Sequence, residues 1–335
     1  MKAYELGEQG SVESLRLVER PDPVPGPGEA LVRYRANSLN YRDLMIVNGE
    51  YGLANAPERI PVSDGAGDVI AVGEGVAGIA PGDRVMVSFF TGWLDGEFRR
   101  HYFGTDLGGG CDGTLAELGV VPASSLVALP DGLGYAQAAC LPCAALTAWT
   151  LMVEFGCLKA GDTVLLLGTG GVSIFGLQLA VMMGARAVIT SSSDEKLARA
   201  KGLGAHEGVN YASDPAWGES VRALTGGADI IVETGGAATL EQSCAAAAYN
   251  ARIGLIGVLG GVGQKIDPLK FLWKSIHLKG VEVGSRRSLV DMTRAIALNE
   301  LEPVIDKSFT FANAPDAYRY LASGTHFGKV VIEHR

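Results

Sequence analysis

The chain has 335 residues, 47% hydrophobic and 19% charged, enough for two domains with sizeable cores and unlike a disordered or fibrous polymer. Its net charge of −9 argues against the clustered basic footprint that a nucleic acid or an anionic membrane surface would demand. Five cysteines, an odd number, make no disulfide framework, and residues 1–20 mix both signs of charge without an apolar signal segment, so a cytoplasmic protein is expected.

In chain order, residues 2–18 read as two short strands, and the prolines at 21, 23, 25 and 27 make an extended connector that cannot be a helix. Ala30 to Ser38 alternates as a strand. Asp68 to Val72 and Val85 to Phe90 follow as strands around the turn Pro81-Gly82-Asp83, which makes a β-rich lobe. Residues 91–113 are irregular and carry Trp93, Phe98, Tyr102 and Phe103, the signature of a functional or mobile loop bordering a roomy, partly apolar pocket. Ala136 to Phe155 reads as helical. Within it Cys140 and Cys143 form a C-x-x-C pair, but no second Cys or His pair stands at metal-ligand spacing, and apolar packing is the favoured reading.

The stretch from Thr163 to Lys196 is the informative one. Val164 to Leu167 is a short apolar strand bounded by Gly168, and Gly168 and Gly170 permit a tight turn that a pyrophosphate can approach. Gly171 and Val172 then open a helix whose free N–H groups favour an anion, and a second strand runs from Ala187 to Thr190. This is a dinucleotide-binding βαβ unit. Ser173 replaces the third expected glycine, where it still allows close helix-to-strand packing and could touch phosphate.

An acidic residue at the end of the second strand would bond the ribose 2′-hydroxyl of NAD. Here Ser191, Ser192 and Ser193 occupy that place, with Lys196 one turn on, so NADPH is favoured and NADH remains possible. Ser192 also reads as the cap of the next helix, with Glu195 completing a capping box. Further on, Asp229 to Glu233 and Arg252 to Val258 read as strands ending in glycines, with a helix from Leu240 to Ala247 between them. Helices from Asp291 to Leu298 and Ala314 to Ser323 precede a last strand, Lys329 to Glu333.

The segments DGAGDVIAVGEGV, PGDRV, LTAW, GTGGVS, LIGVLGG and HFGKVVI, in that order, resemble the medium-chain dehydrogenase/reductase superfamily, which holds zinc alcohol dehydrogenases and zinc-free quinone oxidoreductases. Within it the chain is similar to zinc-type alcohol dehydrogenase-like members. The resemblance implies an α/β fold with a GroES-like β-rich catalytic domain at residues 1–127, completed by 280–335. A Rossmann domain with a doubly wound parallel sheet is implied at 128–279, the active site lying in the cleft and the protein forming homodimers. Zinc-dependent relatives place their catalytic ligands at positions matching Asn40, Ser63 with Asp64, and Cys143. One thiolate cannot make a three-ligand site, and only Cys111 falls in the region of the structural zinc loop, so no zinc is expected.

Without a metal to polarise a simple carbonyl, the favoured acceptors are quinones and α,β-unsaturated carbonyls, the developing oxyanion being met by hydrogen-bond donors. Asn40, Tyr41 and Tyr51 are the donor candidates and Asp43 belongs to the same motif, with Arg42 beside it as a local ion pair. The plainer reading of Tyr51 is an aromatic packed under the loop at 91–103. By resemblance, Asn40 and Tyr51 border the nicotinamide, Thr147 lies near it, Gly257, Val258 and the Val283-Gly284-Ser285 segment flank it, Lys329 closes the site, and Tyr211 lies against adenosine. Metal-free alcohol oxidation or carbonyl reduction, and NADPH binding without catalysis, are the alternatives.

Overall fold

The computed structural model describes every residue except 8, 9, 52–57, 262, 264 and 335. The chain divides into two compact units, Met1–Leu146 with Val283–Arg335, and Thr147–Glu282. The GroES-like and Rossmann-type architecture expected from the sequence is what the chain adopts.

In the first unit the seven-stranded sheet runs Ile305–Thr310, Lys329–Glu333, Glu29–Leu39, Asp64–Val72, Arg84–Val87, Leu126–Ala128, with Leu118–Pro122 pairing separately on Glu29–Leu39. Glu29–Leu39 is the organising strand because its two ends feed two cores. Ala30, Val32 and Tyr34 pack with Val69, Val85, Val87 and Leu126, whereas Leu39 joins Leu44, Val47, Leu115, Tyr318 and Val330. Arg33 and Arg35, between the inward residues, are exposed, as period-two alternation requires. Gly67 lets Asp64–Val72 lie against this strand, since a Cβ there would fall 2.0 Å from the Arg33 carbonyl oxygen. The helix Tyr135–Ala139 packs on Glu29–Leu39 and Asp64–Val72, and the first unit continues as far as Leu146.

The second unit is a six-stranded parallel sheet in the order Glu207–Asn210, Arg186–Ser191, Thr163–Leu166, Ala228–Glu233, Ala247–Leu255, His277–Gly280. Numbered along the chain within this unit, that is the 3-2-1-4-5-6 order of a dinucleotide-binding sheet, whose direction of winding reverses beside its first strand. All residues of Thr163–Leu166 are buried, so the strand reads as an unbroken apolar run instead of alternating.

One sequence expectation needs correction here and another is extended. The strand expected to reach Val258 ends at Leu255, because Gly257 turns so tightly against Thr234 that a Cβ would sit 2.6 Å from its carbonyl oxygen. The close helix approach expected at Ser173 is shared with Gly176, whose Cβ would fall 2.6 Å from Leu166 Cδ2. No helix among the described residues is long and apolar enough to cross a membrane.

Candidate active site

In the second unit the phosphate-binding turn is built as its glycines demand. Gly168 sits at φ +75°, a conformation natural to glycine, and its N–H donates to Thr190 Oγ1 at 3.2 Å. Gly170 is the extended N-cap of the helix Gly171–Met182, whose first-turn N–H groups have no intrahelical partner and can meet an anion. Ser173 is 2% exposed and donates its hydroxyl proton to the Leu167 carbonyl at 2.6 Å. That proton is committed to fastening helix to strand, so a phosphate is left with the backbone N–H groups. Gly168 thus shapes the turn, and the first-turn N–H groups of the helix that starts at Gly171 can meet a pyrophosphate.

At the end of Arg186–Ser191, Ser193 caps the helix Asp194–Gly202 through its Oγ, which accepts from Lys196 N at 3.3 Å. The capping box expected at Ser192 and Glu195 is therefore corrected by one residue, and Ser192 is exposed. Ser191 Oγ accepts from Ser193 N at 3.2 Å. Both of these oxygens act as acceptors from the backbone, which leaves their hydroxyl protons to donate to an anion. Tyr211 follows directly, its N–H on the Ser191 carbonyl at 3.1 Å and its side chain 43% exposed.

Sequence reasoning missed Glu233, which fixes the neighbouring loops. Wholly buried, its Oε1 accepts from Gly235 N at 2.8 Å, Gly236 N at 3.1 Å and Thr239 Oγ1 at 2.5 Å, while Oε2 accepts from Ser243 Oγ. Gly260 N then donates to Gly235 O at 2.8 Å and Leu259 N to Thr234 O at 3.2 Å, holding the segment that carries Gly257 and the exposed Val258. A buried acid at the end of a strand, followed by Gly-Gly and hydroxyls at the spacing of a helix turn, was the available signal. Thr147 is buried in the helical turn Leu146–Trp149.

In the first unit the structure brings Asn40, Asp43 and Lys329 together with Asp64. Asn40 N donates to Asp43 Oδ2 at 2.8 Å at the start of the helix Tyr41–Val47. Asn40 Nδ2 donates to Asp64 Oδ2 at 3.0 Å, and Lys329 Nζ donates to Asn40 Oδ1 at 2.5 Å and to Leu39 O at 2.6 Å. Ser63 Oγ donates to Asp64 Oδ1 at 2.8 Å. Burial pushes the Asp43 carboxyl up to about 6, against the opposing pull of Arg42 and of the Asn40 N–H. Burial raises Asp64 also, with Lys329 opposing it.

Arg42 makes the expected ion pair with Asp43 and a closer one besides. It lies 3.9 Å from Asp43 but 2.6 Å from Asp106, and also donates to Leu107 O at 2.8 Å. Tyr51 is packed beneath the Arg42 guanidinium, 4.7 Å from its ring centre, and against the core around Leu44 and Tyr318. Burial raises its phenol and Arg42 opposes the rise. Tyr41 lies outside this network with its side chain 50% exposed. Val283, Gly284 and Ser285 lead into the helix Arg286–Leu298, which Ser285 caps by accepting from Ser288 N at 3.1 Å.

The rings of the loop at 91–103 pack largely on one another, with Phe103 left exposed. Trp93 is 5% exposed and meets Phe98 edge-on at 5.0 Å, and Phe98 meets Phe90 and Phe103 in turn. Backbone bonds from Arg286 and Arg287 to Trp93 and Leu94 tie it to the helix start.

The positions that match zinc ligands do not suit a metal. The Asn40 oxygen already accepts from an ammonium and Ser63 donates to Asp64, which leaves Cys143 as the one thiol among these positions. Among the described residues no group of three or more His, Cys, Asp or Glu is arranged to hold a metal.

Comparison with known proteins agrees with this architecture. Residues 26–131 match the alcohol dehydrogenase GroES-like domain family and 171–298 the zinc-binding dehydrogenase family. A zinc-type alcohol dehydrogenase-like protein of Schizosaccharomyces pombe is 42% identical over 92% of this chain and 91% of its own length. The crystal structure of an NAD-dependent alcohol dehydrogenase is 34% identical, with a TM-score of 0.89 and 99% of each chain covered. A mycobacterial protein complexed with NADPH is 28% identical, with a TM-score of 0.83 and 99% of each chain covered.

Proposed function

The chain belongs to the medium-chain dehydrogenase/reductase superfamily of oxidoreductases, and on that footing we propose that it is a zinc-independent, NADPH-dependent reductase of quinones or α,β-unsaturated carbonyls. The observation that carries the reading is the Lys329 ammonium on Asn40 Oδ1, a fixed cation where a metal site would need an open donor. NADPH, when bound, supplies the hydride. The chain's own groups bind the cofactor and stabilise charge on the acceptor. The backbone N–H groups of Gly170 to Ser173 hold the pyrophosphate, and Ser192, Ser193 and Lys196 receive the 2′-phosphate.

Asn40 donates to the acceptor oxygen as negative charge develops there, which is the step a metal-free site must cover by itself. Conjugated acceptors suit it because delocalisation lowers the charge that protein donors have to meet. Metal-stripped protein given NADPH and a simple enone tests the reading: turnover unaffected by chelator supports it, and turnover restored only by zinc sinks it.

The same reading extends to assembly as a homodimer. The sheet edge His277–Gly280 is exposed, with Leu278 outward, and the helix Leu269–Lys274 exposes Leu272 and Trp273 at about 70%. A strand edge unpaired among the described residues, beside the exposed Leu272 and Trp273, favours pairing with a second copy. Sedimentation should give a dimer that Leu278→Lys weakens; a monomeric wild type at micromolar concentration would count against it.

A further inference from the structure

The Asn40 side-chain amide is held at its oxygen and at one N–H and left open at its second N–H, while the residue's backbone N–H is held as well. Its oxygen accepts from Lys329 Nζ at 2.5 Å, its nitrogen donates one hydrogen to Asp64 Oδ2 at 3.0 Å, and its backbone N–H is taken by Asp43 Oδ2 at 2.8 Å. Among the described residues nothing meets the second Nδ2 hydrogen, and Asn40 itself is 9% exposed.

Because an ammonium can only donate, the amide has one admissible orientation. Flipped, it would set its NH₂ against Lys329 and its oxygen against the carboxylate of Asp64. The holders are themselves held: Lys329 is 3% exposed and anchored on Leu39 O at 2.6 Å, and Asp64 receives Ser63 Oγ at 2.8 Å. A charge-assisted bond to the amide oxygen also polarises the group, which strengthens its remaining N–H as a donor.

We propose that Lys329 is a positioning residue that, with Asp64, clamps and polarises the Asn40 amide so that its remaining N–H faces the substrate oxygen. The ammonium thereby supplies, through an amide, the positive charge for which a metal is otherwise required. The inference rests on the reductase reading above and assigns Lys329 a role in charge stabilisation in place of contact with the cofactor.

The test is a double-mutant cycle on the full-length protein between Lys329→Met and Asn40→Ala, with kcat, KM and NADPH affinity measured for an enone and stability measured separately by urea. Lys329→Met should lower kcat about tenfold or more, approaching the loss caused by Asn40→Ala, with KM and NADPH affinity little changed. In the Asn40→Ala background it should cost nothing further in kcat, and Lys329→Arg should restore part of the rate. Additive losses, or a change confined to NADPH affinity, would overturn the proposal.

Should Lys329→Met fail to fold, Lys329→Met with Asp64→Asn removes both charges and takes its place in the cycle. If the wild type turns over no enone or quinone, it is the reductase reading that fails. The clamp is then read from exchange of the ¹⁵N-labelled Asn40 side-chain amide: faster exchange in the Lys329 variant supports it, and an unchanged rate overturns it.

Discussion

The Arg42 guanidinium and the Asp106 carboxylate meet at 2.6 Å across 64 residues of sequence, with neither side chain more than 8% exposed. The pair fastens the first turn of Tyr41–Val47, and hence Asn40 and Asp43, to the segment that follows the aromatic loop. Removing one partner of a buried pair strands the other charge. Asp106→Ala should therefore cost about 3 to 5 kcal/mol in urea unfolding, and Arg42→Met with Asp106→Leu markedly less. Equal losses in the two variants would show that the bond contributes beyond mutual neutralisation.

Two buried groups give stability opposite dependences on pH. Asp43 titrates near 6 in the folded chain, above the ordinary 3.8, so the folded state holds its proton more tightly and stability falls as pH rises through that window. Burial pushes His334 from 6.5 down to about 4; the unfolded chain takes up its proton first, and stability falls as pH drops through that window. Thermal midpoints across the shared range should climb more steeply with pH in Asp43→Asn than in wild type, and less steeply in His334→Gln. Parallel curves for all three proteins would refute both assignments.

The cofactor preference is separable from the helix cap. Ser192 is exposed and does not cap, whereas Ser193 does. Ser192→Asp should shift the ratio of kcat/KM for NADPH over NADH by about tenfold toward NADH, the equivalent of about 1.4 kcal/mol, without loss of stability. Ser193→Ala should cost about 1 kcal/mol of stability. An unchanged cofactor ratio in Ser192→Asp would place the 2′-phosphate elsewhere.

Glu233 serves as the anchor of the loops after two adjacent strands. Glu233→Ala would strand the N–H groups of Gly235 and Gly236 in the interior, and we expect a loss of about 3 kcal/mol or more in chemical unfolding. Weaker binding of dinucleotide should accompany it, measurable by titration calorimetry. Unaltered stability would mean that water replaces the carboxylate.

Much of this was legible in the sequence because it rests on short-range chemistry. The glycine turn after Thr163–Leu166 and the closing strand Lys329–Glu333 are set by local patterns and were read correctly. The closer partner of Arg42 was not legible: Asp43 is its neighbour in sequence, while Asp106 reaches it only through the fold. The aromatic loop shows the same limit, since composition reports how many rings it has but not that they pack against one another. The cap slipped from Ser192 to Ser193 because three successive serines offer the same chemistry, and only the backbone angles select among them.

The central claim, hydride transfer without a metal, is tested most directly by following NADPH absorbance with chelator-treated, metal-assayed protein and a panel of one quinone, one enone and one unconjugated aldehyde. The account predicts oxidation by the quinone or the enone at a rate indifferent to chelator, with the aldehyde far slower. Oxidation that appears only with the aldehyde and only after zinc is returned would contradict it.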